Sequence, residues 1–192
     1  MVDNADAVDV DVSDANVTMH IGFLLMPEYT LSTFSNAVSV LRMANRLSGR
    51  ELYRYSVFSL DGEPVVSSAG LELRLDGSLE SVGDMSVLMV CGGYNVKKHC
   101  GKEVLDALRL MAKKKIPLGG MCTGSYVLAA AGLLDGYRST IHWENIASMR
   151  EQFPKLNIGS SLFVIDRDRY TCSGGISSID LMLNLVASIH GH

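Results

Sequence analysis

Residues 116–132 read IPLGGMCTGSYVLAAAG: a short apolar run ends in two glycines, meets Cys122-Thr123-Gly124-Ser125, and passes into an Ala-rich helical pattern. This order predicts a buried strand, a sharp turn bearing one outward-facing residue and a helix that starts at once, the arrangement of a nucleophile elbow. Glycines at 119, 120 and 124 remove the side chains that would collide in so tight a bend. The residue on the bend is Cys122. Beside it, at the start of a helix over 125–131, unpaired backbone N–H groups and the helix dipole favour a thiolate or a bound anion. Taken as structure alone, Cys122 also reads as a small residue packed between a strand and a helix.

Strands and helices alternate on either side of this unit. Residues 19–26, MHIGFLLM, form a continuous apolar run stopped by Pro27, which suits a parallel strand buried on both faces. Between Leu31 and Leu47 the apolar residues at 31, 34, 37, 38, 40, 41, 44 and 47 fall on one helical face, closed by Ser48-Gly49. A strand is predicted over 53–60, and residues 65–75, VVSSAGLELRL, read as a small hairpin turning near Gly70 that extends the sheet. Residues 87–90 are a further buried strand running into Cys91-Gly92-Gly93-Tyr94, and a helix over 102–112 follows, ending in three lysines that suit the negative end of its dipole. After the elbow come a short strand at Ser139-Thr140-Ile141, a helix opened by His142-Trp143-Glu144 and stopped by Pro154, paired strands at 162–165 and 169–172, and a last helix to about Ile189. The pattern predicts an α/β fold of the doubly wound, flavodoxin-like kind, a mostly parallel sheet with helices on both faces. Ligands of such sheets sit outside the carboxyl ends of the strands, which gathers Pro27-Glu28-Tyr29, residues 91–95, Cys122-Thr123, His142-Trp143 and residues 173–175 at one edge.

A chain of 192 residues, 47% hydrophobic, is long enough for one substantial core, and one folded domain is expected over 18–192. The net charge of −4 is carried by Asp3, Asp6, Asp9, Asp11 and Asp14; without them the balance becomes +1. Residues 1–17 read as a disordered acidic arm, having neither the basic start nor the apolar core of a signal peptide. The rest lacks the basic surplus of a domain that itself grips nucleic acid. No apolar run is long enough for a membrane span, and cysteines 91, 100, 122 and 172 have neither CxxC nor zinc spacing. A cytoplasmic chain with reduced thiols, no metal and no cofactor is expected.

Two chemistries fit the gathered residues. As an enzyme, Cys122 attacks, the amides of Gly93 and Thr123 hold an oxyanion, His142 serves as base, and Glu28 or Glu144 orients it. As a binding module, the same edge is a pocket made by Gly92, Gly93, Tyr94, Cys122, Thr123, His142, Trp143 and Ser173. Its backbone donors suit a carboxylate, and Trp143, Tyr94 and Tyr29 are candidate aromatic walls for an alkylated ammonium. A redox sensor built on Cys122 is a third reading. Each of these residues also has a plain structural reading: His142 as a hydrogen-bonded residue, Glu144 as a first-turn carboxylate, the aromatic residues as core.

The motifs Gly22-Phe23-Leu24-Leu25 with Pro27, Leu41-Arg42-Met43-Ala44-Asn45, Cys91-Gly92-Gly93, Gly119 to Gly124, AGLLDG at 131–136, Thr140-Ile141-His142-Trp143-Glu144 and Ser173-Gly174-Gly175 with Asp180 carry a resemblance over residues 19–190. In that order they resemble the ThiJ/PfpI group of the class I glutamine amidotransferase-like fold, and more closely the amino-terminal sensor domain of AraC-type transcription regulators. Residues 41–62 are particularly similar to regulators of carnitine, glycine-betaine and dimethylglycine catabolism. The resemblance implies a non-catalytic, homodimeric domain that binds a small methylated-amine or amino-acid-like zwitterion and reaches DNA only through a helix-turn-helix domain beyond His192. The alternative it leaves is a cysteine-dependent hydrolase or hydratase using Cys122, His142 and Glu28. Thr33 departs from the pattern, since many relatives have Asp there, and without that acid the Cys–His pair lacks an orienting partner.

Overall fold

Strand β1 (Met19–Leu25) lies inside the sheet because its side chains are apolar on both faces. Ile21, Phe23 and Leu25 enter one core layer; Leu24, with Met26 just beyond the strand, enters the other. The structure, a computed structural model, describes residues 18–81 and 83–191. The acidic arm expected over 1–17 lies outside the described residues.

After β1 come α1 (Leu31–Ser48), β2 (Tyr53–Ser59), β3 (Gly77–Ser78), β4 (Val87–Cys91), α2 (Lys102–Lys113), β5 (Leu118–Met121) and α3 (Gly124–Ala130). Then follow β6 (Arg138–Ser139), α4 (Ile146–Gln152), β7 (Asn157–Ile158), β8 (Phe163–Asp166), β9 (Arg169–Cys172) and α5 (Ser177–His190). Seven strands form one sheet in the order β3-β2-β1-β4-β5-β9-β8, parallel throughout except for the β8–β9 hairpin. Helices α1 and α5 pack on one face with Phe34, Ala37, Leu41, Leu181 and Leu185, while Val104, Leu108, Met111, Val127, Leu128 and Met149 of α2, α3 and α4 cover the other. This is the doubly wound architecture that the alternating pattern predicts.

The ends of α1 show how local sequence sets geometry. Gly49 takes the left-handed conformation (φ 66°) that ends the helix. One turn earlier, Asn45 donates from Nδ2 to the Tyr53 carbonyl (2.6 Å) and accepts the Tyr53 N–H (2.9 Å), fastening the helix end to the start of β2. Most of the 41–62 stretch therefore builds the amino-terminal edge of the sheet, opposite the edge that carries the candidate pocket.

Three sequence expectations change. The hairpin over 65–75 shrinks to one antiparallel bridge, Val66 to Glu72, around Gly70 (φ 75°), and stands outside the seven-stranded sheet. The strand at 139–141 becomes β6, which pairs with β7 in a separate two-stranded sheet. The helix opened by His142 starts as a 3₁₀ turn, Trp143–Asn145, before α4.

Candidate functional site

The site lies where the connections from β1 and β4 leave on opposite faces, the crevice in which sheets of this kind hold ligands. The loop after β1 crosses the glycines after β4: the Thr30 N–H donates to the Gly92 carbonyl (3.1 Å) and the Tyr94 N–H to the Glu28 carbonyl (3.2 Å). A Cβ on Gly93 would overlap the Glu28 carbonyl, so only glycine permits the crossing. Thr123 then ties the elbow to the same loop, its hydroxyl donating to the Gly93 carbonyl at 2.7 Å.

Cys122 occupies the elbow. Its backbone is left-handed (φ 57°), and its N–H donates to the Cys172 carbonyl (3.0 Å), placing the bend directly after β5 and beside the end of β9. Sγ lies 3.5 Å from the Thr30 hydroxyl, yet the residue is only 5% exposed. Gly174 closes over it: a Cβ there would stand 2.7 Å from Cβ of Cys122 and 3.0 Å from Sγ. The Gly174 loop is in turn held from α1, where the Thr33 hydroxyl accepts the Gly175 N–H (2.7 Å) and Asn36 donates to the Gly175 carbonyl (3.1 Å).

Burial pushes the Cys122 thiol up, the Thr30 hydroxyl and the Thr123 N–H oppose the rise, and the Glu144 carboxylate adds to it. The net direction is upward, a correction to the lowered pKa expected of a cysteine at a helix start. The expected donors are present at the elbow, but enclosure by the loop from 52 residues further along outweighs them.

The remaining residues divide into those brought to the pocket and those that are not. Gly92, Gly93, Thr123 and Ser173 converge on Cys122; the half-buried Ser173 pairs its hydroxyl with that of Ser177 (3.1 Å). His142 is half-buried on the loop after β6, with Nδ1 3.7 Å from Glu144 Oε2 and its ring 5.7 Å from that of Trp143. Trp143 and Tyr94 are each 69% exposed, whereas Tyr29 is fully buried against Phe34 and is core, not a pocket wall. Glu28 does not orient His142: it accepts from Asn95 Nδ2 (2.9 Å) and pairs with His99 Nε2 (3.5 Å). The Asn95 hydrogen bond, helped by His99, holds its carboxyl below the usual range despite some desolvation. Among the described residues no hydrogen bond or ion pair joins His142 to Cys122 or to Glu28. Nor, among them, do three His, Cys, Asp or Glu side chains gather as a metal site would require.

Sequence reasoning passed over Thr30, whose hydroxyl meets the thiol, and it brought residues 173–175 to this edge without assigning Gly174 the role of covering Cys122. A threonine just before a helix reads as a cap, but Thr30 makes no side-chain cap and turns to Cys122 instead.

Comparison with known proteins follows the same lines. The DJ-1/PfpI family profile matches residues 10–188. The HTH-type transcriptional regulator GbdR of Pseudomonas aeruginosa is 45% identical over 171 residues, 89% of this chain and 47% of that protein. The HTH-type transcriptional regulator CdhR of the same species is 44% identical over 169 residues, 88% of this chain and 50% of its own length. This chain thus spans about half the length of these curated relatives. The crystal structure of an AraC family transcriptional regulator from Pseudomonas putida superimposes with a TM-score of 0.82 at 33% identity, covering 90% of this chain and 93% of that one.

Proposed function

Because the chain belongs to the DJ-1/PfpI family, we propose that it serves as the effector-binding and dimerising part of an AraC-type transcription regulator, binding a small methylated-amine or amino-acid-like zwitterion without turning it over. DNA is reached through a separate helix-turn-helix domain, in keeping with regulators about twice as long as this chain. The observation that carries the reading is the fate of Thr33. Where an acid would orient a Cys–His pair, a buried hydroxyl is committed to the Gly175 N–H, and the thiol beneath that loop is enclosed with its pKa raised. Such a site favours holding a ligand over attacking one.

In this reading the carboxylate of the effector faces the backbone amides near Gly92, Gly93 and Thr123, with Cys122 and Ser173 on the floor, and its ammonium lies toward His142, Trp143 and Tyr94. A thermal-shift screen of betaine, carnitine, dimethylglycine and ordinary amino acids tests it. A ligand present at a hundred times its Kd stabilises the folded chain by about 2.7 kcal/mol, enough to raise Tm measurably. Indifference to every methylated amine would overturn the effector class. One observation favours a second reading, a cysteine-dependent hydrolase or hydratase: the left-handed backbone at Cys122 presents its sulfur as an attacking group would be presented. Turnover of an isonitrile, glyoxal or amide that disappears in Cys122→Ser would put that reading first.

A further inference from the structure

Glu144 has no part in the reading above, yet its placement is specific. It stands in the 3₁₀ turn after His142, its side chain 59% exposed, with Oε2 3.7 Å from His142 Nδ1. Next to it Trp143 offers an indole 69% exposed, its ring 5.7 Å from the imidazole and tilted by 35°. The Glu144 charge reaches the pocket floor, where it works against ionisation of the Cys122 thiol. Glu28, another acid at this edge, is occupied by Asn95 and His99. A carboxylate that orients a catalytic imidazole holds it by a short hydrogen bond, near 2.8 Å. At 3.7 Å and more than half exposed, Glu144 keeps its capacity for another cation.

We propose that Glu144 is the specificity-determining counter-charge of this pocket, pairing with the cationic group of a ligand whose alkyl surface lies on Trp143, and thereby separating an ammonium compound from a neutral molecule of the same shape. The inference rests on the zwitterion reading of the pocket and adds the residue that reads the charge. An alkylated ammonium has few or no N–H groups to donate, so hydrogen-bond acceptors in fixed directions do not select it. An aromatic face together with a nearby carboxylate does, through cation–π attraction and Coulomb energy that need no particular angle. The exposure of Glu144 sets the size of the effect, since half-exposed ion pairs stabilise by up to ~1 kcal/mol, about fivefold in affinity.

Calorimetry with glycine betaine and with 3,3-dimethylbutanoate, which has the same shape and carboxylate but an uncharged carbon in place of the cationic nitrogen, tests this on the wild type, Glu144→Gln and Glu144→Asp. The wild type should prefer betaine; Glu144→Gln should lose about fivefold for betaine while its affinity for the isostere holds, and Glu144→Asp should keep most of the preference. The preference should also shrink as salt is raised. A ligand-free readout runs alongside, the pH profile of Cys122 alkylation by iodoacetamide followed by peptide mass spectrometry. Loss of the carboxylate should move that profile to lower pH, and an unmoved profile would remove Glu144 from the pocket. If betaine binds but Glu144→Gln weakens both ligands equally or neither, the counter-charge role is overturned and the zwitterion reading survives. If the folded wild type binds none of betaine, carnitine and dimethylglycine, both readings fall.

Discussion

The left-handed backbone at Cys122 costs a non-glycine residue about 1–3 kcal/mol, and such strain persists only where the surroundings leave no alternative. Here the elbow geometry is kept while Gly174 covers the sulfur and Thr33 holds the cover. Thr33→Val should therefore cost about 1 kcal/mol for the lost hydrogen bond and speed iodoacetamide labelling of Cys122 relative to the deeply buried Cys91 and Cys172. Labelling that stays as slow as in the wild type would mean that the 173–176 loop is held by other contacts. At the exposed rim, Trp143→Ala should weaken a betaine-like ligand by about 1–2 kcal/mol and Trp143→Phe by less, since the phenyl ring keeps an apolar face and part of the cation–π attraction. Binding indifferent to both changes, read by calorimetry, would move the ligand elsewhere. The elbow, the glycine pair at 92–93 and the His142-Trp143 loop were legible in the sequence because each motif is local and the carboxyl-edge rule brings them together. The burial of Tyr29 and the direction of the Cys122 pKa were not. The first depends on the left-handed turn at Glu28 (φ 59°), the second on a loop distant in sequence.

Among the elements, α3 sits hard against β4 and β5, and glycines set how close it comes. The position of Gly124 leaves no room between the first turn of α3 and β4, since a Cβ there would overlap the Val90 carbonyl, which is backbone and cannot swing away. Gly124→Ala should lower stability by about 1–3 kcal/mol, seen as a lower urea midpoint at unchanged m-value. A midpoint equal to that of the wild type would show that the helix can slide outward at little cost. The AGLLDG motif at 131–136 is explained by a second junction. Arg169, buried on β9, donates from Nε to the Leu133 carbonyl (2.8 Å), Arg167 donates to the Gly136 carbonyl (2.7 Å), and the Tyr137 ring lies against both guanidinium groups. The Tyr137 hydroxyl completes it by donating to Asp168 (2.8 Å). These residues serve packing, so the motif marks ancestry more than ligand choice, as does most of the 41–62 stretch. Elements with a long apolar period, β1, α1, α2 and α5, could be read from sequence to within a residue or two. The two-residue strands β3, β6 and β7 carry too little pattern to say which sheet they join, and long-range packing decides it.

For the molecule as a whole, the two core layers differ in what they enclose. The layer under α1 and α5 holds Cys91, Cys172 and Tyr53 among its apolar side chains. Burial pushes the Cys172 thiol from an ordinary value of 9.0 up to about 11, with N–H groups of Gly174 and Cys122 only partly opposing it, and burial pushes Tyr53 up to about 12. Desolvation, joined by the neighbouring cysteines, sends Cys91 well above its ordinary value. A group whose folded pKa is raised in this way keeps its proton in the native state while the unfolded chain has already released one. Stability is therefore intact below about pH 9 and falls as pH rises from there toward the folded pKa. The shift at Cys172 alone amounts to on the order of 3 kcal/mol across that window, a large fraction of the stability of a typical domain. Urea unfolding at about pH 8 and about pH 10.5 should show this fall, and Cys172→Ala, though less stable at the lower pH from its small cavity, should lose less between the two. A wild-type stability that stays level across the interval would mean that these thiols ionise as easily in the folded core as in water, and the sealed α1–α5 layer described here would be wrong.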